Sequence, residues 1–116
     1  MPRNLNAGRY VLRRSTGSSV VSAISRLETF GYHNLRPNEI EFFTSFFGAV
    51  EQIPISDEVL DKAIELRQRK AMSVGDAIIA GTALLLGAVL YTRNTKDFAW
   101  ISGLNVVNPL DEETQR

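Results

Sequence analysis

Four residues of this 116-residue chain have side chains suited to acting together in one site: Glu28, Asp76, Asn94 and Asp97. Carboxylates that converge on a cleft attract Mg²⁺ or Mn²⁺, because hard cations prefer oxygen ligands. One or two such ions can activate water and stabilise the oxygens of an in-line attack on phosphate. The chain has no cysteine, which excludes disulfides and thiolate metal centres. Its one histidine, His33, follows Gly31 and Tyr32 and reads as a surface turn residue with no nucleophile beside it.

Each of the four residues also has a purely structural reading. Glu28 stands three residues after Ser25, the spacing of a helix capping box. Asp76 is a favourable charge for the first turn of a helix, although Gly75-Asp76-Ala77 opens a segment so apolar that an unpaired charge there is costly. Asp97 reads equally as an exposed turn acid, and Asn94 as a cap for the short turn that follows. Arg93 is an exposed arginine or a phosphate contact.

The elements that must position these residues alternate between strand and helix. Residues 20–24 form a short apolar run that reads as a buried strand, and a helix is expected from Ser25 to about Gly31. Pro37 suits the first position of the next helix. That helix carries Ile40, Phe43, Phe47 and Val50 at spacings of three and four, with Phe42 and Phe46 widening the stripe. Ser56, Asp57 and Glu58 cap and charge the start of a third helix, which ends in Arg67, Arg69 and Lys70. Val59, Leu60, Ala63, Ile64 and Leu66 are its expected buried face.

Asp76 to Leu86 is apolar nearly all round, which implies a helix covered on most sides. A strand over 88–92, a helical turn over 96–100 and a final strand over 104–107 complete the pattern. Strands alternating with helices imply parallel pairing and right-handed crossovers, hence an α/β sandwich. Gly81 and Gly87 lie within or after a helix, not between strand and helix, so no glycine-rich phosphate loop is present.

Composition sets the outer bounds. At 44% hydrophobic and 22% charged, this is an ordinary globular composition with enough chain for one core. Thirteen basic and thirteen acidic residues cancel, so a nucleic-acid surface would have to be local. The N-terminus lacks a signal-peptide core, and the apolar run from Ala77 to Leu90 is too short to span a bilayer. A cytoplasmic location is expected. Residues 1–19 read as a basic, poorly packed arm, 20–110 as the domain and 111–116 as an acidic tail.

Five short motifs in order resemble the PIN-domain family, above all the VapC-type toxins of toxin–antitoxin pairs. They are Ser25-Arg-Leu-Glu28, the Ile53-Pro-Ile55 link, Asp76-Ala-Ile-Ile-Ala80, Thr92-Arg-Asn94-Thr-Lys-Asp97-Phe98 and Gly103-Leu-Asn-Val-Val-Asn-Pro109. The resemblance runs from about Val20 to Pro109. It implies a three-layer α/β sandwich with a parallel central sheet, and Mg²⁺- or Mn²⁺-dependent cleavage of RNA restrained by an antitoxin partner. By resemblance Glu28, Asp76 and Asp97 are metal ligands, and Asn94 or Asp97 completes the shell directly or through water.

The chain departs from the family at its start. PIN domains begin with a central strand whose Asp is a principal ligand, followed by a helix; here no acid precedes Glu28. If the segment from Tyr10 to Ser15 filled that strand, Arg13 would stand where the acid belongs, and a guanidinium repels a cation. Too few residues then remain for a helical crossover to the next strand. The sequence therefore looks like a PIN domain without its first strand and helix, and exposed strand edges would drive self-association into a homo-oligomer. The competing function is a non-catalytic PIN-like module that binds an antitoxin or its own kind.

Overall fold

A computed structural model describes residues 10–110. Five strands form one sheet in the order β3-β2-β1-β4-β5, with β1 Val11–Arg13, β2 Ser19–Ser22, β3 Glu51–Ile53, β4 Val89–Tyr91 and β5 Val106–Val107. Helices α1 Ala23–Phe30, α2 Pro37–Ala49, α3 Asp57–Arg69, α4 Val74–Leu86 and α5 Thr95–Phe98 connect them. This is an α/β fold, one mixed sheet with helices packed on it.

The expected poorly packed arm is, over residues 10–13, the middle of the sheet. Leu12 is 1% exposed and pairs with Val20 on one side and Leu90 on the other. The expected parallel central sheet is mixed, and this strand is the exception. β2–β3 and β4–β5 are parallel, while β1 runs against both of its neighbours. Residues 14–18 are the reason, since five residues suffice for a hairpin and not for a crossover. Arg14 N–H donates to Ser18 O at 2.9 Å and Gly17 N–H to Arg14 O at 2.8 Å, closing the turn. The Arg14 guanidinium then meets both carboxylate oxygens of Glu51, at 3.0 and 3.2 Å.

Side-chain alternation splits the sheet into two faces. Leu12, Val20 and Leu90 point into the main core with Val59, Ala63, Ile79 and Phe98 of the helices. Val21 faces the other way and packs on Phe43 and Phe47 of α2. Val11, Val89, Tyr91 and Val107 alternate to that second side and remain half-buried, with the Arg13 guanidinium 5.5 Å from the Tyr91 ring centre. The third layer of the sandwich is thus short, because a hairpin stands where a helical crossover would have supplied cover. The central slot itself is filled, so a missing middle strand is no longer a reason for self-association.

Helix α4 is buried as expected, without a break from Ala77 to Ala83. Its close crossing with α3 needs Gly81: a Cβ there would lie 3.0 Å from Val59 O and 3.2 Å from Ala63 N. The third helix buries Val59, Ala63 and Leu66. Leu60 and Ile64, expected on the same face, are instead 40% and 53% exposed. Among the described residues no helix is long and apolar enough to cross a membrane.

If β1 is structural, Leu12→Ala leaves a cavity in the centre of the core. It is expected to cost about 2 to 5 kcal/mol in urea denaturation; a loss below about 0.5 kcal/mol would mean the strand is a loosely attached arm.

Candidate metal-binding edge

The edge at which β2 and β4 end collects most of the candidate residues. β2 ends at Ser22, which is the N-cap of α1; its hydroxyl accepts from Ile24 N–H at 3.2 Å. The helix therefore begins at Ala23, two residues before the expected start, and Ser25 is not its cap. Glu28 is consequently not the acid of a capping box and is left on the second turn of α1. Because α4 ends where β4 begins, α4 starts at this same edge.

Ser73 caps α4, accepting from Asp76 N–H at 3.1 Å. Gly75 lies between them in sequence and makes the site possible. A Cβ on Gly75 would overlap Glu28 Oε2 and lie 3.1 Å from Glu28 Cδ. The carboxylate of Glu28 thus rests against the first turn of α4, one residue from Asp76, where the unpaired amides of the helix favour negative charge. Both acids are half-buried. On the same face of α1, Ser25 and Thr29 are 1% and 0% exposed, and their hydroxyl oxygens find no hydrogen-bond partner among the described residues.

Asn94 and Asp97 follow β4 at this edge. Thr92, 1% exposed, accepts from Asn94 N–H at 3.1 Å. Asn94 is the N-cap residue of α5, its carbonyl accepting from Asp97 N–H at 3.2 Å, but its side chain makes no cap bond. Asp97 lies on α5 and is exposed, and its carbonyl accepts from Trp100 Nε1 at 3.1 Å. The Trp100 ring is half-buried against the main core, with Lys70 Nζ 5.6 Å from its centre. His33 is exposed and stacks edge-on to Tyr32.

The fold thus brings Glu28 to the head of α4 beside Asp76 and does not gather Asp97 with them. Among the described residues no three acidic or imidazole side chains converge closely enough to hold a metal ion. Arg13 is not at this edge either. It pairs with Ser19 and Val89, the first residues of β2 and β4, so the reversed strand carries it to the far side of the sheet.

The PIN domain profile matches residues 6–104. The chain belongs to the PIN-domain family. A toxin–antitoxin complex from Klebsiella pneumoniae is similar in structure, with 34% sequence identity and a TM-score of 0.64 over 78% of this chain and 72% of that one. No curated protein sequence matches this PIN domain.

PIN domains generally use divalent metals. Two carboxylates, one of them seated in a glycine cradle, suit a small hard cation that keeps most of its water; they do not build a cage from protein alone. Gly75 was missed in the sequence, although a glycine in the first turn of an otherwise strong helix was the available signal.

The cradle is testable by a double-mutant cycle. Gly75→Ala must push the Glu28 carboxylate aside, so in the native background its helix-propensity gain is offset. In a Glu28→Ala background it is expected to stabilise by about 0.5 to 1 kcal/mol. Equal effects in both backgrounds, measured by urea denaturation, would dissolve the contact.

Proposed function

We propose that this PIN domain is the toxin of a toxin–antitoxin pair and a divalent-cation-dependent endoribonuclease of VapC type. The observation that carries the reading is the Glu28 carboxylate held at the head of α4 next to Asp76. Glu28 and Asp76 would hold Mg²⁺ or Mn²⁺, with Asp97 joining through water, and Asn94 offers an amide to a phosphate oxygen. When bound, the cation supplies an activated water and neutralises charge developing on phosphate. The protein's own part is to present the two acids from rigid helices and to hold the 92–98 loop beside them. RNA is the substrate class, and an antitoxin of the kind present in the Klebsiella complex is the partner.

A second reading, a PIN-like module without catalysis, is favoured by one observation. Among the described residues the third acid does not join the pair.

The domain also pairs with a second copy of itself through α3. Leu60, Ala63, Ile64, Arg67, Val74 and Ile78 line an apolar groove of about 360 Å³ between α3 and α4. Along α3, Asp57, Glu58, Asp61 and Lys62 precede Ile64, while Glu65, Arg67 and Arg69 follow it, so the first half is net acidic and the second net basic. Two copies set antiparallel about Ile64 place each acidic end on the partner's basic end, the self-complementary pattern of a two-fold dimer.

Purified chain is expected to cleave RNA with Mn²⁺ or Mg²⁺ and to lose this activity in EDTA. Asp76→Asn is expected to slow cleavage at least about a hundredfold, a loss of roughly 3 kcal/mol of transition-state stabilisation. Absent or mutation-indifferent cleavage would favour the non-catalytic module. Light scattering at micromolar concentration is expected to give a dimer that Ile64→Asp converts to a monomer; a native monomer would remove the α3 interface.

A further inference from the structure

Half of the second sheet face has no cover. On this side α2 lies over β2 and β3, through Phe43 and Phe47 on Val21 and through Gln52 Nε2, which donates to Phe47 O at 3.2 Å. Over β1, β4 and β5 the same side presents Val11, Val89, Tyr91 and Val107. They are half-buried, and among the described residues none of the four packs into either hydrophobic cluster. An exposed arginine stands at each end of this strip. Arg13 pairs with Val89, and Arg93 follows just past the end of β4. Their separation along the strand direction is about 13 Å. Among the described residues neither arginine is in an ion pair, and the Arg13 guanidinium lies over the Tyr91 ring instead.

Resting on the toxin–antitoxin reading, we propose that this strip seats an amphipathic helix of the antitoxin, apolar against the valines and Tyr91 and acidic towards Arg13 and Arg93. A helix is the layer that an α/β sheet takes on such a face, and it is the layer that the β1–β2 hairpin leaves out. Helical residues rise about 1.5 Å each, so two acids seven places apart stand about 10 Å apart on one side. Apolar residues three and four places along lie between them on that side. The length of the two arginine side chains covers the remaining few ångströms. A second copy of the chain suits the strip poorly. Laid face to face about a two-fold axis, it sets arginine against arginine whichever way it runs, and like charges across an interface oppose association. The α3 surface differs, being acidic towards one end and basic towards the other. RNA would lay its phosphates over valines that offer them no donor.

The test is titration of fluorescently labelled helical peptides with the full chain, read by anisotropy. All share one leucine stripe. The first has glutamates on the stripe seven places apart, the second has lysines there, and the third has the same glutamates moved to the opposite side. The native chain is expected to bind the first at least about tenfold more tightly than either of the others. Arg13→Glu is expected to weaken the first peptide at least about tenfold and to strengthen the second. If Arg13→Glu does not fold, Arg13→Gln decides the matter by weakening the first peptide alone. Equal binding of all three peptides, or indifference to Arg13, would overturn the docking strip. RNA cleavage by the same native preparation would then leave the nuclease reading standing. Peptide binding as expected without any cleavage would keep the strip and overturn the nuclease reading alone. A dimer that survives Ile64→Asp and is broken by Tyr91→Glu would give the strip to a second copy and overturn the proposal. So would metal-free RNA that binds the native chain, is lost in Arg13→Glu and displaces the first peptide.

Discussion

Five residues between β1 and β2 are too few to carry the chain across a sheet face, and most of what is distinctive here follows from that. A chain so short can only turn back on itself, so the central strand runs against its neighbours. The hairpin still satisfies the backbone of β2 and β4, which would otherwise present unpaired edges inside the sheet. It also buries Leu12 at the centre of the core. The sheet keeps its continuity and loses the helix that a crossover would have laid over Val11, Val89 and Tyr91.

Reversal also exchanges the two ends of the strand. Arg13 is carried to the edge where β2 and β4 begin, and its guanidinium covers Tyr91. Tyr10 comes to the edge where they end. Strand direction, not merely strand content, therefore sets the electrostatics of the candidate site. It removes a repelling cation that a parallel strand would have placed there, without restoring an acid.

The acidic pair depends on α4 in a different way. That helix is enclosed on nearly all sides, and Gly81 lets the backbone of α3 approach it closely. A helix held so firmly fixes its own first turn, and with it Gly75 and Asp76. Glu28 then reaches that turn from α1, whose start is set by Ser22 at the end of β2. Rigid elements on both sides suit a site whose ligands must be preorganised. The exposed Leu60 and Ile64 on α3 share their groove with Val74, the first residue of that same α4 turn.

Local signals in the sequence were sufficient for most elements. Pro37, Ser56 and the uniformly apolar run after Asp76 marked α2, α3 and α4 because caps and periodicity act over one or two turns. Family motifs singled out Glu28, Asp76, Asn94 and Asp97 as candidates. Sequence alone did not separate a capping role for Glu28 from a site role, because Ser22 and Ser25 are both plausible caps and only the end of β2 chooses between them. Nor did it assign Tyr10 and Arg13 to opposite edges, since three-residue strands carry little pattern and their direction is set by their partners. The Gly75 cradle, the separation of Asp97 from the acidic pair and the exposure of Leu60 and Ile64 were decided by tertiary structure. Each depends on how two elements distant in sequence meet, and no local propensity encodes that distance.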